Sequence, residues 1–354
     1  MPMKSGPLSR LSLLALVTAG MLTLNLHGCG QYYRDNAQHD WLVNFEKFST
    51  ETAAAAKSTT ARYESFSGTV STTLSGRLQD PHLGELSGLA RAEQHDDVLW
   101  AINDSGNPSL LYAITPTGKV TGRHVLPFKN RDWESLDSFS INGQSWLLVA
   151  DTGDNLKRHQ FSTLYFVPEP DSITTGKSTK LNRKQIKVVR FQYQGGPQNV
   201  EAVAVSVADN AIYLIAKNAA TPALFSLPLD TAMNADSAMV ATNVGQIHPL
   251  SFTRNDRAIE RLLAGRLLLG PTGLDISSDE QLAVVSNYRH VYLFRKQQGE
   301  NWADALQHKP AIIATHRMAQ SESVAFGADA TVVVGSEGMQ APLLVIDGNY
   351  TGVD

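Results

Sequence analysis

The chain has 354 residues, a net charge of −4 and one cysteine, with 42% hydrophobic and 18% charged residues. This is too apolar for a disordered chain and supports a sizeable core. The acidic balance excludes broad electrostatic attraction to nucleic acid, and one cysteine excludes a disulfide framework, a CxxC redox pair and cysteine-rich zinc sites.

Lys4 and Arg10 precede an apolar stretch from Leu11 to Leu26. As a helix it rises about 24 Å, short of a hydrocarbon core of about 30 Å. Residues 1–28 therefore read as a signal peptide, not a membrane span. The run Leu26-His27-Gly28-Cys29 resembles the bacterial lipobox, with His27 an unusual member, and puts the chain's only thiol where lipidation needs one. An ordinary signal peptide with a stray cysteine, or an uncleaved anchor, is the alternative. Lipidated Cys29 would hold the protein at a membrane face. Gly30 after it, in place of aspartate, resembles an outer-membrane address in a Gram-negative host. Residues 29–66 read as a lipidated N-terminus and partly helical spacer. Within them Trp41, Leu42, Phe45 and Phe48 at helical spacing, before an alanine run at 53–56, predict a docked helix over 41–60.

From residue 67 to the end, short apolar runs alternate with Gly, Asn, Asp and Pro, and one element recurs. It reads Ser87-Gly88-Leu89, Glu134-Ser135-Leu136, Glu201-Ala202-Val203, Thr272-Gly273-Leu274 and Glu322-Ser323-Val324. Each copy is followed by a second apolar run ending in polar residues, then by a third, and in several units by a fourth. Four short strands per unit of roughly 50–70 residues predict an all-β fold, a single β-propeller. Five four-stranded blades account for the chain, with six as the alternative. Two long units are explained by a loop over 168–184 and a helix over 255–269. Too few residues follow Ile346 for a last strand, so the stretch Gly68–Leu78 is expected to complete the final blade and close the ring.

In a propeller the starts of the inner strands surround one mouth of the channel. Ser87, Glu134, Glu201, Thr272 and Glu322 are therefore expected to form a ring there, with Asp132, Asn199 and Asp275 near the same rim. Glu134, Glu201 and Glu322 would repel one another unless they bind a hard cation such as Ca²⁺, share a proton, or are screened by water and backbone donors. Asp104, Asp151 and Asp154, in turns that close the second strands, are candidates to orient metal, water or ligand at that mouth. Their Asn/Asp-Gly context is equally that of tight turns. Arg158 and Lys217 are the nearest cationic candidates. The sequence has no G-x-S-x-G elbow, H-E-x-x-H, Walker loop or Rossmann fingerprint. The arginines at 254, 257, 261 and 266 read as a solvated helix face.

The combination Asn103-Asp104-Ser105-Gly106, Asp132-Trp133-Glu134, Gly153-Asp154-Asn155 with Arg158, Glu201-Ala202-Val203, Thr272 to Ser277 and Glu322-Ser323-Val324 resembles secreted bacterial propellers. These are related to the SdiA-regulated, phytase-like and SMP-30/gluconolactonase-like groups, and the resemblance covers about residues 80–346. It implies calcium bound by acidic channel residues. The Asp-rich calcium and phosphate motifs of propeller phytases are absent, so phytase activity is not carried over. The expectation is an envelope lipoprotein, bound to the membrane through Cys29, whose propeller face binds a small ligand or an envelope protein, without organic cofactor or nucleic acid. The alternative is a cation-dependent hydrolase of a phosphoester, lactone or glycan that uses the three glutamates.

Overall fold

The computed structural model describes residues 59–61, 70–217, 221–250, 270–327, 330–348 and 350. The signal peptide, Cys29, the spacer up to residue 58 and the helix expected over 255–269 lie outside the described residues. In the ring, strands such as Leu99–Asn103 and Ala211–Ala216 are buried along their whole length. Continuous rather than alternating burial means that each sheet is covered on both faces.

Two strands, β1 (Thr59–Ala61) and β2 (Val70–Arg77), precede the first inner strand. Unit I follows as β3 (Leu86–Arg91), β4 (Leu99–Asn103), β5 (Leu110–Ile114) and β6 (Val120–Val125). Unit II is β7 (Trp133–Ile141), β8 (Gln144–Asp151), β9 (Ser162–Pro168) and β11 (Lys187–Tyr193), with β10 (Ser178–Lys180) between the last two in sequence. Unit III is β12 (Val200–Ser206), β13 (Ala211–Ala216), β14 (Ala223–Pro228) and β15 (Met239–Gln246), with the short helix α1 (Leu229–Met233) before its outer strand. Unit IV is β16 (Gly273–Ile276), β17 (Leu282–Ser286), β18 (His290–Arg295) and β19 (Ala311–Thr315), with α2 (Trp302–Ala305) before β19. Unit V is β20 (Ser321–Phe326), β21 (Val332–Ser336) and β22 (Pro342–Gly348), completed by β2.

The inner strands β3, β7, β12, β16 and β20 neighbour one another in a closed ring, β20 returning to β3. Each interface between units holds its own apolar core. Trp100 and Trp133 fill I/II, Phe166 and Phe225 fill II/III, and Tyr213 and Tyr292 fill III/IV. Val291 with Val334 fills IV/V, and Leu99 with Val333 fills V/I. Close approach at the axis explains the small residues after the repeat's first position. A Cβ on Gly88 would lie 2.7 Å from the main-chain nitrogen of Leu136 in the next unit.

Ring closure follows the expected route. β2 pairs antiparallel with β22, from Val70 opposite Gly348 to Arg77 opposite Pro342. Three features depart from the sequence reading. Residues 59–61, where the helix expected over 41–60 should end, pair instead with β2 as an added edge strand, in keeping with β-branched Thr59 and Thr60. The fully exposed β10 lies in the stretch expected to be a loop and pairs parallel with β6. The outer edges of units II and III also join, β11 running parallel to β15, so the two units form one eight-stranded sheet.

Candidate functional site

The inner strands place the repeat's first position at one end of the channel, and a local irregularity aims it. In β3, β7, β12 and β20 the pairing with the second strand slips by one residue, leaving Ser87, Glu134, Glu201 and Glu322 as the extra residues. Such bulges re-aim a side chain away from the sheet face. Unit IV has no bulge there, and Thr272 instead donates its hydroxyl to the Ser321 carbonyl at 2.7 Å. Ser87 does the same to Trp133, also at 2.7 Å, so these two positions bind neighbouring units together.

The three mouth glutamates expected to share one site all act on a cation that stands among them, Lys217. Lys217, just beyond β13, is paired with Glu201 and lies 3.9 Å from Glu322. Its ammonium also donates to the Tyr288 hydroxyl at 2.9 Å and lies 4.7 Å from the centre of that ring. Tyr288 in turn donates to Glu322. Glu201 also accepts Asn199 Nδ2 at 3.0 Å, and Asn199 is fixed by the main-chain N–H of Asp154 at 2.8 Å. Although burial opposes its charge, Glu201, Tyr288, Glu322 and Glu134 hold the Lys217 ammonium well above the ordinary lysine range. Glu201 is pushed up to about 7, burial and the Glu322 charge outweighing Lys217. Lys217 is therefore a fixed cation, and Glu201 is its weaker partner.

Glu134 belongs to a second group. One oxygen each from Asp104, Asp132 and Glu134 lie within 4.8 Å of one another. Asp104 follows β4, Asp132 precedes β7 and Glu134 is the bulged residue of β7. Asp104 accepts its neighbour's N–H from Ser105, and its carboxyl is within hydrogen-bonding reach of Asp132. Gly153 makes the gathering possible, because a Cβ there would lie 2.5 Å from the Asp132 carboxyl and 2.7 Å from that of Glu134. Burial first, and then the neighbouring charges, raise Asp104 and Glu134 well above the usual carboxylate range. Burial also raises Asp132, although Arg131 opposes it. Glu134 is 4% exposed. Three such groups favour a shared proton or a cation.

The other expected site residues fall into different roles. Asp151 is ion-paired with Arg131 at 3.0 Å. Asp154 accepts the main-chain N–H groups of Arg158 and His159 at 2.9 and 2.7 Å and so closes its own loop. Arg158 is exposed and meets Asp154 only through its backbone. Asp275 was expected near the rim, but it lies three residues along the inner strand from Thr272 and meets Asp137 instead.

Glu85 and Tyr288 were missed. Glu85 accepts Asn107 Nδ2 and feels the charge of Glu322. It stands two residues before its unit's repeat, as Asp132 and Asn199 do in theirs, so the register carried the signal. Tyr288 follows the polar pair Ser286-Asn287, in the place Lys217 takes after β13.

No protein-family model matches the chain, and no curated protein matches it in sequence. Among solved structures, the soluble aldose sugar dehydrogenase from Escherichia coli, in its apo-form, is similar over 78% of this chain and 99% of that chain. The identity is 11% and the TM-score 0.44. The propeller architecture here is established by the strand pairing and the five packed interfaces.

Proposed function

We propose that the protein is a cation-binding propeller whose acidic mouth presents a divalent ion, with calcium the expected one, to a small ligand or an envelope protein. The observation that carries this reading is the gathering of Asp104, Asp132 and Glu134 oxygens within 4.8 Å. All three are hard oxygen donors, which suit calcium. They come from one turn and one strand start on a rigid ring, so the donors are held in place before an ion arrives. Lys217 already neutralises the other half of the mouth, which leaves this trio as the place where added positive charge is most needed. The sequence motifs that resemble phytase-like and SMP-30-like propellers support the same reading. The lipobox at Cys29 supports attachment of the ring to the bacterial envelope, at the outer membrane.

The test is thermal unfolding of the mature chain with calcium and with a chelator. An ion held at 100 times its dissociation constant stabilises the native state by about 2.7 kcal/mol. Asp104→Asn and Glu134→Gln are expected to abolish that increment, while Glu201→Gln leaves most of it. Unfolding that is indifferent to calcium in the parent rejects the proposal. A hydrolase acting through this ion is the second reading, favoured by Glu201, whose pKa of about 7 suits a general base. It predicts calcium-dependent turnover of a phosphoester, lactone or glycan that Glu201→Gln abolishes.

A further inference from the structure

Below the mouth, three residues further along the inner strands, the repeat's register places Ala90, Asp137, Ala204, Asp275 and Ala325. Asp137 on β7 and Asp275 on β16 are 4% and 8% exposed. Their carboxyls are within hydrogen-bonding reach of each other. Units II and IV are not neighbours, since unit III stands between them. A contact between their inner strands therefore spans the channel.

Main-chain donors reach all four oxygens. Asp137 Oδ2 accepts Val205 N–H of unit III at 2.6 Å, and its Oδ1 accepts Ser138 N–H at 2.8 Å. Asp275 Oδ2 accepts Phe326 N–H of unit V at 2.6 Å, and its Oδ1 accepts Ile276 N–H at 2.8 Å. Two ionised carboxylates offer each other only lone pairs, so a hydrogen bond between them requires a proton on one. We infer that Asp137 and Asp275 form a proton-binding site, one proton held between them, and that the protonated pair is a clasp tying units II, III, IV and V across the axis.

The surroundings leave little else to neutralise the pair. Arg91, at the end of β3, is the cation whose field reaches Asp275, and it is itself bonded to Glu93. The facing positions on β12 and β20 are Ala204, Val205, Ala325 and Phe326, none of them titratable. Beyond Ile276, Asp279 accepts the Ser277 hydroxyl and Glu280 accepts that of Ser206 and meets Lys296, so both are engaged elsewhere. Asp137 is held well above the usual carboxylate range by burial and by the Asp275 charge. Burial pushes Asp275 up to about 6, against the backbone donors and Arg91. A carboxyl raised in the folded state stabilises fully below its unfolded value, near 3.8, and that stability is lost as pH rises through about 6. The clasp is closed in mild acid and loosened in mild alkali.

The experiment compares the melting temperatures of the parent, Asp137→Asn and Asp275→Asn from pH 4.5 to 8, all with chelator present so that the mouth contributes equally. An asparagine can donate to the remaining carboxylate at every pH but gives up one acceptor for a main-chain N–H, so the pH dependence and not the absolute melting temperature is compared. The parent is expected to lose several degrees relative to either variant as pH rises across that range. Parallel curves overturn the clasp. Should neither variant fold, the infrared band of protonated carboxyl groups is titrated in protein carrying Asp104→Asn, Asp132→Asn, Glu134→Gln and Glu201→Gln, which removes these raised carboxyls of the mouth. A component that bleaches between pH 5 and 8 supports the shared proton, and its absence rejects it. Because the mouth is mutated in that measurement and chelated in the other, a failed cation site leaves the result intact.

Discussion

Lys217 is the residue on which the mouth's electrostatics turn. It is the ammonium between Glu201 and Glu322, and its side chain is 12% exposed. Lys217→Met would leave two buried carboxylates without their cation, which costs about 3–5 kcal/mol for pairs of this kind. Denaturant unfolding at neutral pH is expected to show that loss, and adding Glu201→Gln to Lys217→Met should recover much of it. An additive double variant would mean that the two side chains do not interact. His316 offers a separate test. Both its ring nitrogens are buried without a hydrogen-bond partner, and burial, then His290 and Arg289, push its pKa down to about 3. A histidine with a lowered pKa stays neutral in the folded state while the unfolded chain takes up a proton below about 6.5. Stability is therefore complete above that pH and is lost as pH falls toward 3. His316→Leu removes this proton uptake, so its melting temperature should gain on the parent's steadily between pH 7 and 4. A constant difference across that range would show that His316 does not titrate as its burial demands.

At the scale of elements, the loop that follows β8 decides whether the acidic trio can assemble. Gly153→Ala would press a methyl group into Asp132 and Glu134. The expected result is loss of most calcium-dependent stabilisation with a smaller change in the chelated protein, both read from melting curves. Equal loss in the two conditions would place the damage in the fold and not in the site. The inner strands, their order and their common register were legible in the sequence, because Gly88, Ser135, Ala202, Gly273 and Ser323 repeat a steric requirement of the axis. The closing strand was legible from the shortage of chain after Ile346. The aim of the glutamates was not, since a one-residue slip in strand pairing leaves no pattern in composition or periodicity. Nor was the division of the mouth into two groups, because it depends on Lys217 reaching across from the end of β13 to strands of units III and V. The edge pieces β6 and β10 escaped for a simpler reason. Val120–Val125 has only its terminal valines as apolar anchors, and Ser178–Lys180 has none.

For the whole molecule, closure rests on β2 alone supplying the fourth strand of unit V. A chain starting at Leu78 would expose the β22 edge and remove Val70 from the core between units IV and V. Relative to a chain starting at Thr59, it is expected to self-associate through that open edge, as light scattering would report. A stable monomer of native circular dichroism would show that closure does not depend on this strand. The pairing of β11 with β15, and of β10 with β6, gives the outer rim an uneven character. Units I, II and III are laced by backbone bonds at their periphery as well as packed near the axis. Among the described residues, no strand pair laces units III, IV and V in this way. The rim is thus laced by strand pairing along one arc and not along the other, and β1 and β2 join the unlaced arc at unit V. Were the chain anchored at Cys29 as proposed, load entering through β1 and β2 would pass into unit V and from there directly to its ring neighbours, units IV and I. The acidic trio begins one interface away, at Asp104 of unit I, so such a load would be felt at the mouth.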